Sequence, residues 1–178
     1  MIKKNNIKNN LSSFKAKDLT GIITPPPDKS ISHRALLFSS LALGKSAISN
    51  ILDSADVLNM VKALKALGVK IINKNNVYYV IGVGLNGFST PNKYIDCGNS
   101  GTLARILLGA IGGSKIFATF SGDTSLSRRP MDRVIKPLKK MGIYFDSINN
   151  KLPLIIKGSS DILPIKYTSP ISSAQVKT

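Results

Sequence analysis

Of the 25 cationic side chains in this 178-residue sequence only five are arginine, and all five fall in three short segments rich in Ser and Gly. Lysine suffices for solubility, whereas a planar, permanently charged guanidinium is wanted where phosphate or carboxylate must be held in one orientation. The first segment is Asp28-Lys29-Ser30-Ile31-Ser32-His33-Arg34. It opens an apolar helix pattern, so free amides and the helix dipole add to two cations and the Ser30 hydroxyl. An ordinary cap by Asp28 or Ser30 accounts for part of it but leaves Lys29 and Arg34 without a role, and P-loop spacing is absent. In the second segment, Asp96-Cys97-Gly98-Asn99-Ser100-Gly101-Thr102-Leu103-Ala104-Arg105, two glycines allow close approach of backbone to a ligand, beside the polar Asn99 and Thr102. A Gly-rich turn followed by a cap fits the same letters. The third runs from Gly122 to Arg133 and sets Arg129 before Pro130, a residue suited to the first turn of a helix. Arg128 and Arg133 fit a solvated role or a pair with Asp132 equally well. The fourth is Ser172-Ser173-Ala174-Gln175-Val176-Lys177. The single cysteine, Cys97, has no base or metal-ligand partner beside it and reads as a small buried residue.

A repeat positions these segments. Lys29-Ser30-Ile31-Ser32 precedes Ala35, Leu36, Leu37 and Leu41; 70 residues later Asn99-Ser100-Gly101-Thr102 precedes Leu103, Ile106, Leu107, Leu108 and Ile111. Val57, Met60, Val61, Leu64 and Leu67 have helical spacing and stop at Gly68. Met131, Val134, Ile135, Leu138 and Met141 match them 74 positions on and stop at Gly142. Short β-branched or aromatic runs follow each, then the hairpin-like stretches Val77–Val83 and Leu152–Lys157. The unit is strand, helix, strand, helix, strand, strand. It is complete twice, over about 25–90 and 91–160, and begins a third time at Pro170. Ser173 falls at the repeat position of Ser30 and Ser100, so equivalent helix starts in three units can converge on one site. Pro137 should kink its helix. Residues 1–24, with a strand candidate at Gly21–Thr24, look detached behind the stiff Pro25-Pro26-Pro27 linker.

Composition bounds the class. Hydrophobic residues make up 43%, enough for a core, and the 19% charged fraction does not suggest disorder. No run reaches the ~18 apolar residues of a membrane span, the start lacks a leader-like apolar core, and one cysteine fits a reducing compartment, so a cytoplasmic location is expected. All nine acids are Asp, Asn is abundant (Asn73, Asn75 and Asn76 among others), and the net charge is +16. Drift toward Lys, Asn and Ile accounts for this as well as attraction of anionic metabolites does. Aromatic residues do not interleave with the basic segments, which argues against base stacking and a nucleic-acid partner.

In order and spacing, Asp28–Arg34, Gly98–Thr102, Arg129-Pro130-Met131 and Ser172–Lys177 resemble the signature segments of the enolpyruvylshikimate-phosphate (EPSP) synthase family, in its bacterial class II form, from about residue 25 onward. The resemblance implies an inside-out α/β barrel of βαβαββ repeats, two lobes with three units each, and a site in the cleft between them. Here one lobe (25–178) is expected, incomplete, with residues 1–24 belonging to the other lobe. The implied reaction joins the enolpyruvyl group of phosphoenolpyruvate to the 5-hydroxyl of 3-phosphoshikimate and releases phosphate, on the way to chorismate and the aromatic amino acids. It implies no metal or organic cofactor, no membrane, and a monomer when the polypeptide is complete. By motif match, Lys29, Ser30 and Arg34 would bind 3-phosphoshikimate. Lys29, crowded by cations, would also touch phosphoenolpyruvate and serve proton transfer or phosphate departure. Gly101, Arg129 and Asn99 would bind phosphoenolpyruvate, and Ser173 and Gln175 would contact 3-phosphoshikimate, with Gln175 also reaching phosphoenolpyruvate. A UDP-sugar enolpyruvyl transferase and an RNA 3′-phosphate cyclase-like module share the repeat and are the alternatives. With catalytic residues of the second lobe absent, the chain alone is expected to show no turnover.

The resemblance also implies that glyphosate competes for the phosphoenolpyruvate pocket. In a full-length enzyme carrying these residues, Gly101→Ala should raise the glyphosate inhibition constant more than the KM for phosphoenolpyruvate. Equal sensitivity with and without the methyl would remove Gly101 from that pocket.

Overall fold

Helix starts in this chain are set by short polar side chains. Asp28 caps α1 (Lys29–Leu41), Ser54 caps α2 (Ala55–Ala66), Ser100 caps α3 (Gly101–Gly112) and Asp123 caps the single turn α4 (Thr124–Ser127), each accepting the amide of the third residue on. Two further helices, α5 (Asp132–Lys140) and α6 (Ala174–Lys177), have no side-chain cap. The computed structural model describes residues 12–15, 18, 20–170 and 172–178. The expectation of a separate segment at 1–24 lies largely outside these residues.

The strands form two small sheets, one per unit. β1 (Leu43–Ile48), β2 (Lys70–Lys74) and β3 (Val77–Val83) make an antiparallel sheet in the order β1-β3-β2. β4 (Ile95–Asp96), β5 (Phe117–Ser121), β6 (Tyr144–Ser147) and β7 (Leu154–Lys157) make the order β4-β5-β7-β6, with β4 parallel to β5 and the rest antiparallel. The second unit therefore shows the expected βαβαββ pattern, with α4 added. The first does not: Gly21–Thr24 form no strand, and Ile22 and Ile23 are exposed. A two-residue parallel pairing such as β4 on β5 contributes little by itself. In the first unit the corresponding segment does not reach β1.

One core runs through both units, from Leu36 and Met60 through Leu64, Leu103 and Leu107 to Phe120, Ile135 and Ile156. Helix α3 is its axis. Nine of its 12 residues are buried, on nearly every side, as in a helix largely surrounded by protein. Each fully buried Leu or Ile contributes about 1.5–3 kcal/mol. The helices thus pack inside, with the sheets outside them. Pro137 does not break α5, which continues through it to Lys140; the ring is itself buried there. Pro130 is not in a first helical turn. Asp123 starts a separate helix ahead of it, and α5 begins two residues after it.

The abundance of Asn has a structural cause at two places. Asn75 and Asn76 turn β2 into β3 at φ 51° and 59°, and Asn149 and Asn150 occupy the matching link between β6 and β7 at φ 53° and 51°. Asn tolerates the left-handed region better than other side-chain-bearing residues. The pairs lie 74 apart, so compositional drift is not the explanation for these four.

Close backbone approach repeats as well. A Cβ on Gly82 would fall on the Ala42 and Ser39 carbonyls at the end of α1, and one on Gly158 would fall on the Ser114 and Ile111 carbonyls at the end of α3. Gly109, by contrast, is exposed within α3 with nothing near its missing Cβ. Gly158→Ala and Gly82→Ala should each destabilise by about 1–3 kcal/mol or more, whereas Gly109→Ala should stabilise by about 0.5–1 kcal/mol. Urea midpoints of the three variants check this; equal shifts would refute the close approach.

Candidate functional site

The first segment is built around Asp28. Its carboxylate accepts the Ile31 amide at 2.7 Å, and its carbonyl accepts the Ser32 hydroxyl at 2.7 Å. Ser32 in turn accepts the Leu52 amide at 3.0 Å. Asp28 is therefore the equivalent of Ser100 and Ser173 by cap position, and Ser30 stands two residues inside α1. The sequence alignment of the repeats was off by two here because letters, not caps, were matched. Ser30 and Lys29 remain exposed at the first turn.

Lys29 is not surrounded by cations alone. Its Nζ lies 3.0 Å from the Asp56 carboxylate in the first turn of α2. That pair is half-exposed, so it orients the ammonium more than it stabilises the fold. Arg34, one turn on, donates to the Thr178 hydroxyl at 2.6 and 3.0 Å, to the Ala174 carbonyl at 3.4 Å and to the Ser30 carbonyl at 3.3 Å. The first segment and the start of the third unit are thus in direct contact.

His33, the single histidine, is fully buried and links the first segment to the second. Its Nδ1 is 2.8 Å from the Lys29 carbonyl and its Nε2 is 3.2 Å from Ser100 Oγ. A carbonyl only accepts, so Nδ1 carries the proton and Nε2 accepts from the Ser100 hydroxyl. Ser100 Oγ also receives the Leu103 amide at 3.2 Å. Burial is the main cause that holds the His33 pKa below its ordinary value, with the bond to Lys29 opposing it.

In the second segment Gly98, at φ 53°, lets the chain fold back so that its carbonyl receives the Asp123 amide at 2.9 Å. Asn99 bridges the second and third segments. It donates to Asp123 at 2.7 Å and accepts from Arg129 Nη2 at 2.9 Å, and Arg129 also reaches Ser125 at 3.0 Å. Asp123 is held below the usual carboxylate range, first by the Leu126 amide and then by Asn99. Arg129 sits between α4 and α5, as expected ahead of a helix start. Asp132 pairs with Lys136 at 3.7 Å and accepts from Asn150 at 2.9 Å, so no pair with Arg128 or Arg133 is formed. Cys97 is fully buried, and burial pushes its thiol well above its ordinary value. It is a small buried residue, as its surroundings in the sequence suggested.

Sequence reasoning passed over Arg105. Its side chain is only 8% exposed and touches three of the four segments: Nη1 donates to the Gly101 carbonyl and to Gln175 Oε1, both at 3.3 Å, and Nη2 donates to the Pro130 carbonyl at 3.2 Å. Gln175 Nε2 donates to Thr102 at 3.2 Å. Arg105 was already visible as one of five arginines; its position within an apolar helix pattern was the unused signal. Gly101 is the first residue of α3 and is buried. The nearest atoms to a Cβ there are Arg105 Nη1 at 2.7 Å and Leu126 Cδ1 at 3.5 Å. A methyl at 101 therefore meets the protein's own side chains, in addition to any ligand it was expected to crowd. Ser173 caps no amide with its side chain. Among the described residues, ion pairs join Lys29 to Asp56 and Lys136 to Asp132, while Arg34, Arg105 and Arg129 contact only neutral oxygens. No cluster of His, Cys or Asp there could hold a metal, and no helix is long and apolar enough to cross a membrane.

Comparison with known proteins bears on the family and the fold. Residues 14–178 match the family model for EPSP synthase (3-phosphoshikimate 1-carboxyvinyltransferase). The chain is 45% identical over 175 residues to the 3-phosphoshikimate 1-carboxyvinyltransferase of Nitrobacter winogradskyi, and 46% identical over 171 residues to that of Rhodopseudomonas palustris. Each match covers 94% of this chain but 39% and 38% of those relatives. The solved EPSP synthase of Acinetobacter baumannii superposes with a TM-score of 0.82 at 38% identity, over 88% of this chain and 36% of that one. The fold is thus the inside-out α/β arrangement of these enzymes.

Because burial lowers the His33 pKa, the native state binds fewer protons at this site than the unfolded chain at pH values between the two pKa values. The His33 contribution to stability should be fully present above about pH 7 and be lost as pH drops from about 6.5 through the lowered native value. His33→Gln should remove that component from the pH profile. The single imidazole resonance followed by NMR, with urea midpoints of both proteins, checks this; a titration at or above 6.5 would contradict it.

Proposed function

This chain belongs to the EPSP synthase family, and we propose that it supplies the substrate-gripping side of that family's carboxyvinyl transfer. In this reading 3-phosphoshikimate and phosphoenolpyruvate bind at the joined helix starts, and the enolpyruvyl group passes to the 5-hydroxyl as phosphate leaves. The chain spans 38–39% of the curated relatives it matches, so the remaining groups of the site would come from residues beyond those present here. The observation that carries the reading is Arg34 and Arg129 hydrogen-bonded to neutral oxygens, with the nearby Asp123 carboxylate reaching Arg129 through Asn99 and not by a direct ion pair. Guanidinium groups with no carboxylate hydrogen-bonded to them are suited to anionic ligands.

Lys29, Ser30 and Arg34 would hold 3-phosphoshikimate, joined by Ser173 and Gln175. Asn99, Gly101 and Arg129 would hold phosphoenolpyruvate. Arg129, fixed through Asn99 and Ser125, would present the rest of its fork to phosphate or carboxylate. Lys29 would reach both ligands, and Asp56 would orient its ammonium toward the departing phosphate. Such preorganised charge is worth most in a closed, water-poor cleft. The same reading has residues 25–178 as one lobe in units of about 25–90 and 91–160, a cytoplasmic reaction, a monomeric complete enzyme and no metal or organic cofactor.

The 178-residue chain should be protected from thermal unfolding by 3-phosphoshikimate and not by an RNA oligomer. Arg34→Ala should weaken 3-phosphoshikimate binding on the order of tenfold or more, as loss of a charged hydrogen bond implies. Calorimetric titration measures this. No protection by 3-phosphoshikimate, or equal protection by RNA, would sink the proposal.

A further inference from the structure

We propose that Arg105 is a positioning residue that sets the orientation of the Gln175 side-chain amide and locks the second, third and fourth segments into one surface. The inference rests on the reading above, in which Gln175 contacts substrate.

Arg105 stands in the second turn of the most buried helix, yet no carboxylate accompanies it. Its Nε is buried without a partner. Burial, and after it the nearby Arg133 and Arg129, disfavour its charge. Removing a cation from water without a counter-charge is costly, and an apolar side chain of similar size usually serves stability as well or better. Core packing therefore gives no reason for an arginine here.

Its contacts do. The Gly101 carbonyl belongs to the second segment, the Pro130 carbonyl follows Arg129 in the third, and Gln175 Oε1 belongs to the fourth. A rigid guanidinium with five donors in one plane is suited to hold three oxygens on three segments in fixed directions at once. The effect on Gln175 is directional. The Thr102 hydroxyl at the other end can donate or accept, so it fits either amide orientation. A guanidinium can only donate, so it fixes Oε1 toward itself and Nε2 toward Thr102. The remaining Nε2 hydrogen then points one way only. Gly101 belongs to the same device, since a Cβ there would lie 2.7 Å from Arg105 Nη1. A methyl at 101 would shift the fork and, through it, Gln175.

Gln175 is the single glutamine of the chain, so selective 15N-glutamine labelling reports one side-chain amide. In the 178-residue protein this pair should be shifted from free-glutamine positions and protected from exchange. Arg105→Met should return it to free-glutamine positions and speed exchange at least tenfold, while the core resonances stay dispersed. Gly101→Ala, which keeps Arg105 but displaces its tip, should move the same pair, and serves if Arg105→Met does not fold. For 3-phosphoshikimate, Arg105→Met and Gln175→Ala should each weaken binding about tenfold. The double variant should bind no more than about twofold more weakly than Gln175→Ala. An unmoved Gln175 amide in a folded variant, or losses that multiply in the double variant, would overturn the inference. If the chain does not bind 3-phosphoshikimate at all, the functional reading fails, and the amide measurement alone decides the role of Arg105.

Discussion

The burial of α3 on nearly every side is the constraint from which the rest of the molecule follows. A helix in contact with water on one face can leave its first amides to solvent. One enclosed by protein must satisfy them internally or lose several kcal/mol. Ser100 meets this demand by capping Leu103, and it is itself held by His33 from α1. The start of α3 is thereby bound to the start of α1, and the second segment cannot move without the first. The same enclosure forces Arg105 inward, where it reaches Pro130 and Gln175. A packing requirement has become the framework of a site.

The charge arrangement is the inverse of that in a stability-driven fold. Lysines on the surface are numerous and mostly solvated. Arg34, Arg105 and Arg129 are instead hydrogen-bonded by carbonyls, amides and hydroxyls, which fix direction without a direct ion pair. Asn99 shows the principle: its amide nitrogen is taken by Asp123, so its oxygen is turned to Arg129. Neutral partners keep the cation field available to a ligand, at the cost of leaving like charges near one another. In the proposed reading, an anionic ligand would offset that cost and so couple its occupancy to the order of the site.

Repetition supplies the geometry cheaply, but the two units are not copies. The turn asparagines and the glycines that pass the helix ends recur in both. Among the described residues, the parallel first strand and the extra turn α4 are found in the second unit and not in the first. These departures fall beside the site. α4 carries Ser125, and the link after it carries Arg129, so the additional residues of the second unit hold an arginine fork with no counterpart ahead of α2 in the first unit.

The sequence alone pointed to the class of fold and most of the helical segments, and it singled out the arginine-bearing segments as candidates for holding anions. Each depends on local periodicity, on caps or on residue types whose chemistry is their own. It also allowed the family resemblance, because motif order survives independently of conformation. Only the tertiary structure decided what depends on two distant residues meeting. Cap position, not letter identity, makes Asp28 the counterpart of Ser100. Asp56 on α2 reaches Lys29, which the sequence had left among cations. His33 and Ser100, 67 positions apart, share a hydrogen bond. Arg105 looked like one more charged residue near an apolar run, since periodicity marks a buried position but cannot say which oxygens wait there. Side-chain partners across a core are fixed by packing, and packing is not a local property of the chain.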